Sequence, residues 1–295
     1  MRRSFVLVSL LVLTFLMVGS LQVSADMVQI RGSDTEVNLV QRLTEVFMDE
    51  NPGSYFAVTG GGSGTGIAGL INKQIDIANS SRAMSETEIE QARNNGVEPV
   101  PFIFAQDGLA VIVNSSNSVQ ELTIDEIGAI FRGEITNWKD VGGNDQEISL
   151  YGRQSNSGTF VYFRANVVKG DYSPQKKMMN GNAQIVEGVL ADQAGIGYIG
   201  IGYAVDGGVV VPGLNVLKVA ADENSPAVTP LELENIMQGL YPIVRPLFHY
   251  TDGKPEGHVK GYLEFIMTEA GQNIVIQEGF FPITDDYREQ NRANL

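Results

Sequence analysis

The chain has 295 residues, 43% of them apolar and 19% charged, with 33 glycines, 11 prolines and no cysteine, a composition that fits one large or two ordinary globular domains. With 35 acidic against 20 basic residues its formal charge is −15, which argues against a nucleic-acid partner. Without cysteine there is neither a disulfide framework nor a thiol for lipid attachment, and the two histidines, His249 and His258, have no cysteine to help them build a structural zinc site.

The chain opens on the basic start Met1-Arg2-Arg3, followed by an almost continuous apolar run from Phe5 to Val18 and by Val23-Ser24-Ala25, a small-residue cleavage site. The run is short for a membrane span. Residues 1–25 are therefore expected to be a signal peptide cut after Ala25 rather than a retained anchor, and the mature protein to be exported.

From Asp26 short strands and helices alternate. Val28 to Arg31 reads as a strand ending in Gly32-Ser33-Asp34-Thr35, after which Val37, Val40, Leu43, Val46 and Phe47 recur at helical spacing until Asn51-Pro52-Gly53. Tyr55 to Thr59 is β-like, and Gly60-Gly61-Gly62-Ser63-Gly64-Thr65-Gly66 leads into a helix over 67–72. Ile75 to Ala78 is a further strand, ending in Asn79-Ser80-Ser81-Arg82, and Ser85 with Glu88 forms a capping box for the helix that follows. Val100 to Phe104 and Leu109 to Val113 are apolar β runs separated by Ala105-Gln106-Asp107-Gly108, a place for the chain to cross between lobes. Thr123 with Glu126 caps another helix, through Phe131. Trp138, the one tryptophan, reads as packing rather than as a ligand platform.

Ile148 to Tyr151 is the strand that delivers the most informative stretch, Arg153-Gln154-Ser155-Asn156-Ser157-Gly158-Thr159, followed at once by the apolar Phe160, Val161 and Phe163. Ser157 is a good N-cap, Gly158 lets the backbone approach a ligand closely, and the N–H groups of the first helical turn have no intrahelical acceptor. The helix dipole adds partial positive charge there. Arg153 supplies a planar fork of donors, and Ser157 and Thr159 supply hydroxyls. A tetrahedral oxyanion suits this set; an arginine paired with a carboxylate beside a capped surface helix is the plainer alternative. Beyond it come a helix near 183–192, the β run Ile196 to Gly200, a helix opened by Thr229-Pro230-Leu231-Glu232, a β run from Tyr241 to Tyr250, and a closing helix over 259–277.

The glycine run meets other motifs only formally. Gly64-Thr65-Gly66-Ile67-Ala68-Gly69 matches G-x-G-x-x-G, but an exported protein rarely meets a dinucleotide. The Walker pattern lacks its Gly-Lys-Ser/Thr, and the nucleophile-elbow pattern fails at Thr65. No serine has a histidine nearby in sequence to act as its base, so nothing asks for catalysis, a metal or a cofactor.

Taken together, Gly32-Ser33-Asp34-Thr35, Gly62-Ser63-Gly64-Thr65-Gly66, Phe131-Arg132-Gly133-Glu134-Ile135-Thr136-Asn137-Trp138, Arg153 with Ser157-Gly158-Thr159, Gly195-Ile196-Gly197-Tyr198, and Tyr241-Pro242 through Arg245-Pro246-Leu247 make the chain resemble the substrate-binding proteins of ABC-type phosphate uptake systems. The resemblance implies a two-lobed α/β fold of the periplasmic-binding-protein type (type II), with the ligand in the cleft. Residues 26–107 plus 245–295 would form lobe I and 108–244 lobe II. It implies a monomer that binds one dehydrated inorganic phosphate and hands it to a membrane ABC permease, with no nucleic acid and no cofactor involved. Arg153, Ser157, Gly158, Thr159 and Ser63 carry over directly as phosphate-binding residues. Ser33, Asp34 and Thr35 in the first turn, Gly64, Ser81 and Arg82 complete the expected set.

One departure bears on selectivity. Where well-known members of the family place an aspartate that accepts the proton of hydrogen phosphate, this chain has Ser81 followed by Arg82. A Ser81 facing the ligand can still accept that proton through its lone pairs, but a hydroxyl can also rotate to donate, which weakens discrimination against sulfate; Asp34 is the alternative acceptor. The alternatives are a secreted phosphatase or other phosphate-ester hydrolase using the same cradle, or a binder of another tetrahedral oxyanion such as sulfate.

Overall fold

The computed structural model describes residues 27–295; the expected signal peptide lies outside the described residues. β1 (Val28–Gly32) turns at residues 33–36 into α1 (Val37–Glu50), whose Leu39, Val40, Leu43 and Phe47 share one buried face. β2 (Phe56–Thr59) runs through the glycine turn into α2 (Ser63–Ile71), β3 (Ile77–Ser80) is followed by α3 (Glu86–Asn94), and β4 (Pro99–Gly108) ends this passage. The second passage holds β5 (Ala110–Asn114), β6 (Glu121–Thr123), α4 (Ile124–Arg132), β7 (Ser149–Arg153), α5 (Gly158–Phe163), β8 (Lys177–Met179), α6 (Asn182–Ala191) and β9 (Gly195–Ile199). It continues through the hairpin of β10 (Val205–Asp206) and β11 (Val209–Val210), then β12 (Leu214–Val216), β13 (Lys218–Ala220) and α7 (Leu233–Met237). β14 (Val244–Asp252), α8 (Gly257–Ile266), α9 (Glu269–Gln277) and α10 (Asp285–Asn294) complete the chain.

Two five-stranded sheets organise these elements, in the orders β2-β1-β3-β14-β4 and β12-β5-β9-β7-β8. In the first, β1 pairs in parallel with β2 and β3, while β14 enters antiparallel between β3 and β4. In the second, β7 runs parallel to β8 and β9, and β5 runs antiparallel to both β9 and β12. The chain leaves the first sheet at the end of β4 and returns with β14. Parallel strands joined through helices are covered on both faces; β3 and β9, each paired in parallel with one neighbour, are buried at every position, as is β5, which lies antiparallel between β12 and β9. The fold is thus two-lobed and α/β, each lobe built on its own sheet. Among the described residues no helix is long and apolar enough to cross a membrane.

Both capping boxes are present, at Ser85/Glu88 and Thr123/Glu126, and Trp138 is buried, its Nε1 donating to Ala194 O at 3.0 Å. Four expectations are corrected. α2 begins at Ser63, not at Ile67: glycines disfavour helix, but here they let the helix press on β1, where a Cβ on Gly66 would lie 2.3 Å from Arg31 O. Ala105 to Gly108 stays in β4, because each of these residues pairs with β14, from Leu247 back to Val244. Thr229 and Pro230 form a turn, with Leu231 N donating to Thr229 Oγ1, and α7 starts only at Leu233. The closing helix is two helices, since Thr268 caps a new start at extended ψ and accepts from Gly271 N. Glycine at 271 permits that junction: a Cβ there would lie 2.5 Å from Phe265 O.

Candidate functional site

Open α/β sheets bind ligands beyond the carboxyl ends of their strands, and the sequence places its polar turns there. Ser33, Asp34 and Thr35 follow β1, Gly60 to Ser63 follow β2, Ser81 follows β3, and Arg153 ends β7 with Ser157, Gly158 and Thr159 just beyond. The turns of the two lobes meet face to face. Gly64 N donates to Asn156 O at 3.0 Å, Asn156 Nδ2 donates to Gly61 O at 2.9 Å, and Thr35 Oγ1 lies 2.7 Å from Thr159 Oγ1. A Cβ on Gly158 would lie 2.3 Å from Ser63 Oγ and 2.7 Å from Ser81 Oγ, so glycine at this position is a condition of the lobes closing.

At the centre is a set of buried hydroxyls. Ser33 Oγ donates to Ser81 Oγ at 2.9 Å, Ser81 Oγ lies 3.3 Å from Ser63 Oγ, and Ser81 N donates to Ser63 Oγ at 3.1 Å. Ser63 and Ser157 to Thr159 stand in the first turns of α2 and α5 or at their caps, where backbone N–H groups lack intrahelical acceptors. Ser157 takes the Phe160 N–H at 3.4 Å as the cap of α5.

Two arginines, each 1% exposed, enter from opposite lobes. Arg153 pairs through Nη2 with Asp34 Oδ2 and donates from the same nitrogen to Asn180 O at 3.1 Å, while its buried Nη1 has no partner among the described residues. Asp34 is itself held by the Gly61 N–H at 2.7 Å. Arg245, from β14, grips Asp107 Oδ2 through Nε at 3.0 Å and Nη2 at 2.8 Å, and also donates to Ser81 O at 3.0 Å and Thr159 Oγ1 at 2.9 Å. Behind Arg153, Lys176 Nζ donates to Arg153 O at 3.0 Å and stands 5.1 Å from the Phe160 ring and 4.7 Å from that of Tyr172. Burial lowers Lys176 to about 8. Tyr198 accepts the Arg153 N–H at 3.1 Å, and burial pushes its hydroxyl up to about 12, so it stays a neutral support.

Ser33, Asp34, Thr35, Ser63, Gly64, Ser81, Arg153, Ser157, Gly158 and Thr159 are therefore brought to one place. Arg82 is not. Its guanidinium turns to α3, donating from Nη1 to Glu88 Oε2 at 2.7 Å and from Nη2 to Oε1 at 2.6 Å, with Ala83 O as a further acceptor. The capping-box glutamate outcompetes the cleft because it offers a bidentate carboxylate only six residues on. Sequence reasoning missed Arg245, Asp107, Lys176 and Glu36. Glu36 is fully buried at the cap of α1, and burial raises its carboxyl to about 8. Among the described residues no group of three His, Cys, Asp or Glu side chains is placed to hold a metal ion. The arrangement can grip a small oxyanion by charge-assisted hydrogen bonds; it presents no nucleophile with a base beside it.

A family model described as the PBP superfamily domain matches residues 20–270. The chain is 32% identical over 258 residues to the phosphate-binding protein PstS of Bacillus subtilis (strain 168), covering 87% of this chain and 80% of the relative. It is 30% identical over 292 residues to the phosphate-binding protein PstS of Borreliella burgdorferi, covering 96% and 99% respectively. Among solved structures it is similar to a Clostridium perfringens protein assigned as a phosphate ABC transporter substrate-binding protein and solved with bound phosphate. The TM-score is 0.76 and the identity 28%, over 88% of this chain and 100% of the other.

Proposed function

Because the chain belongs to the phosphate-binding proteins of the PBP superfamily, we propose that it binds one inorganic phosphate between its lobes, outside the cytoplasm, and delivers it to a membrane ABC permease. The observation that carries this reading is Arg153: a guanidinium, 1% exposed, with one terminal nitrogen tied to Asp34 and the other buried without an acceptor among the described residues. An unmatched buried donor of that strength is costly unless a ligand completes it. An anion beside Ser63, Ser81, Thr159 and the first turns of α2 and α5 would do so.

Phosphate binding then needs no covalent step. Micromolar affinity corresponds to about −8 kcal/mol, which a few charge-assisted hydrogen bonds at about 1.5–3 kcal/mol each supply after ordering costs. Closure is a hinge motion of residues 26–107 and 245–295 against 108–244, through the paired crossings at Gly108 and Val244. The ligand favours the closed state because it touches both lobes only there. Asp34 is the acceptor that takes the proton of hydrogen phosphate in place of the family aspartate, since its oxygens already lie within the Arg153 grip. The protein acts as a monomer and as a carrier.

The experiment is calorimetric titration of the mature protein, stripped of ligand by unfolding and refolding, with phosphate and then sulfate at pH 7. One-to-one phosphate binding with negligible sulfate binding is expected. Equal binding of both would overturn the selectivity assigned to Asp34, and binding of neither would overturn the transport reading. A phosphatase assay with divalent metals is expected to give no turnover.

A further inference from the structure

Glu36 follows Thr35 directly and is fully buried, yet among the described residues neither of its carboxyl oxygens has a hydrogen-bond partner. It does not cap α1 through its side chain; only its carbonyl enters the helix, accepting from Val40 N at 2.9 Å. An ionised carboxylate held there would lack a counter-charge of its own. The cation that acts on it, Arg245, is already committed to Asp107 through two nitrogens, so this pair presents little net charge.

The neighbours from each surrounding element leave that balance unchanged. Asp34 lies in the same turn, paired with Arg153 from the other lobe. Asp107 comes from β4 and Arg245 from β14, the latter two residues paired in register. His249, on the same face of β14, is buried and held neutral, its value lowered by burial to about 3. Tyr203, across the cleft, donates to Asp34 O at 2.8 Å, and burial raises its hydroxyl to about 12. Burial dominates at Glu36, raising it to about 8, with the Ser33 hydroxyl and Arg245 offsetting only part and Asp107 adding to the rise.

We propose that Glu36 sets the charge of the anion site: it remains a neutral carboxylic acid while the anion is bound, and its ionisation and occupancy of the cradle exclude one another. The inference rests on the phosphate-binding reading. A bound dianion beside Ser33 and Thr35 adds negative charge next to Glu36 and strengthens its hold on the proton. Affinity is therefore full while Glu36 is protonated in the free protein, and falls about tenfold per pH unit once the pH exceeds its free value. Inorganic phosphate is already hydrogen phosphate through that window, so the fall belongs to the protein.

The test is calorimetric phosphate titration at pH 7.5 and pH 9 of the wild type and of Glu36→Gln. Lys176 loses its proton in the same range behind Arg153, so both proteins are also prepared with Lys176→Met. The expected result is that Glu36→Gln binds phosphate more tightly than its parent at pH 9, by about tenfold, in either lysine background. Glu36→Gln no tighter than its parent at pH 9 would overturn the inference. If that variant does not fold, proton uptake decides. Lys176→Met alone should take up protons on binding at pH 9, seen as a difference in heat between two buffers of unlike ionisation enthalpy. Absence of uptake overturns it. A wild type that binds no phosphate at either pH would overturn the transport reading itself.

Discussion

Asp34, in the turn after β1, and Arg153, at the end of β7, form an ion pair that joins the two lobes across the cleft. Arg153 is buried and Asp34 mostly so, and the aspartate's other oxygen takes the Gly61 N–H at 2.7 Å, which fixes the carboxylate against rotation. The pair therefore links the two lobes and, under the proposed function, presents the acceptor for a protonated ligand. Asp34→Asn keeps the size and one acceptor but loses the charge. Phosphate affinity should fall, and the preference for phosphate over sulfate should narrow by at least about tenfold, since one charged buried hydrogen bond is worth about 1.5–3 kcal/mol. Competition titrations of the two anions measure this. An unchanged preference would remove Asp34 from the selectivity argument.

Arg245 and Asp107 form the second buried pair, with side chains 1% and 0% exposed. Such a pair contributes little net stability against an apolar replacement, but removing one partner strands the other. Arg245→Ala leaves Asp107 without a counter-charge and should cost about 3–5 kcal/mol in urea unfolding. The double change Arg245→Met with Asp107→Leu should recover most of that loss. Recovery of stability without recovery of phosphate binding would separate the structural task of the pair from its grip on Ser81 O and Thr159 Oγ1. If the single variant unfolds at the wild-type urea midpoint, the pair is not the strut described.

How much of this was legible in the sequence depended on distance along the chain. The turns after β1, β2 and β7 each combine a strand, a Ser/Gly cluster and a helix within a few residues, so local rules found them. Arg245 stands in a stretch that carries the family resemblance, but nothing local to it points to the cleft. It reaches the cleft only because β14 inserts antiparallel between β3 and β4, a pairing that short-range periodicity does not encode. Asp107 lay in a segment read as a break, because its pairing partners belong to that same late strand. Glu36 reads locally as an acidic residue favoured at a helix start, and only the tertiary packing around that turn makes it buried. Lys176 lies four residues beyond Tyr172, in a segment without a helical or strand pattern, and only the fold brings the Phe160 ring of α5 to its other side. Arg82 failed in the opposite sense: the capping-box glutamate had been recognised, but not as the acceptor that would claim the arginine's fork.

Gly158→Ala tests the cradle at its tightest point. The glycine needs no unusual backbone angle; what it needs is space, since the added methyl would stand 2.3 Å from Ser63 Oγ and 2.7 Å from Ser81 Oγ. Those hydroxyls belong to the other lobe, so the methyl props the cleft open instead of straining a core. Phosphate affinity should fall at least about a hundredfold, roughly 2.7 kcal/mol, with the urea midpoint nearly unchanged. Small-angle scattering should find that adding phosphate no longer reduces the radius of gyration. Near-normal binding would mean that the lobes do not need this close approach.

His249 makes a prediction about acid. Its ring stacks on Phe104 at 4.1 Å between centroids, its Nε2 lies 3.4 Å from Tyr262 Oη, and its Nδ1 has no partner among the described residues. Burial lowers its value from 6.5 to about 3, so the folded chain resists a proton that the unfolded chain accepts. The unfolded state therefore binds more protons between these limits, and stability falls as the pH drops below 6.5, by up to about 1.4 kcal/mol per pH unit, until the folded value is reached. Glu36 acts with the opposite sign over part of this range, because a raised carboxyl favours the folded state most at low pH. The measurement must therefore be a difference between proteins. His249→Phe retains an aromatic ring against Phe104 and removes the titration. Urea midpoints at pH 4.5, 5.5 and 6.5 should converge or cross, with the variant losing less stability than the wild type as the solution is acidified. Parallel pH profiles for the two proteins would show that the buried imidazole is not a source of acid sensitivity.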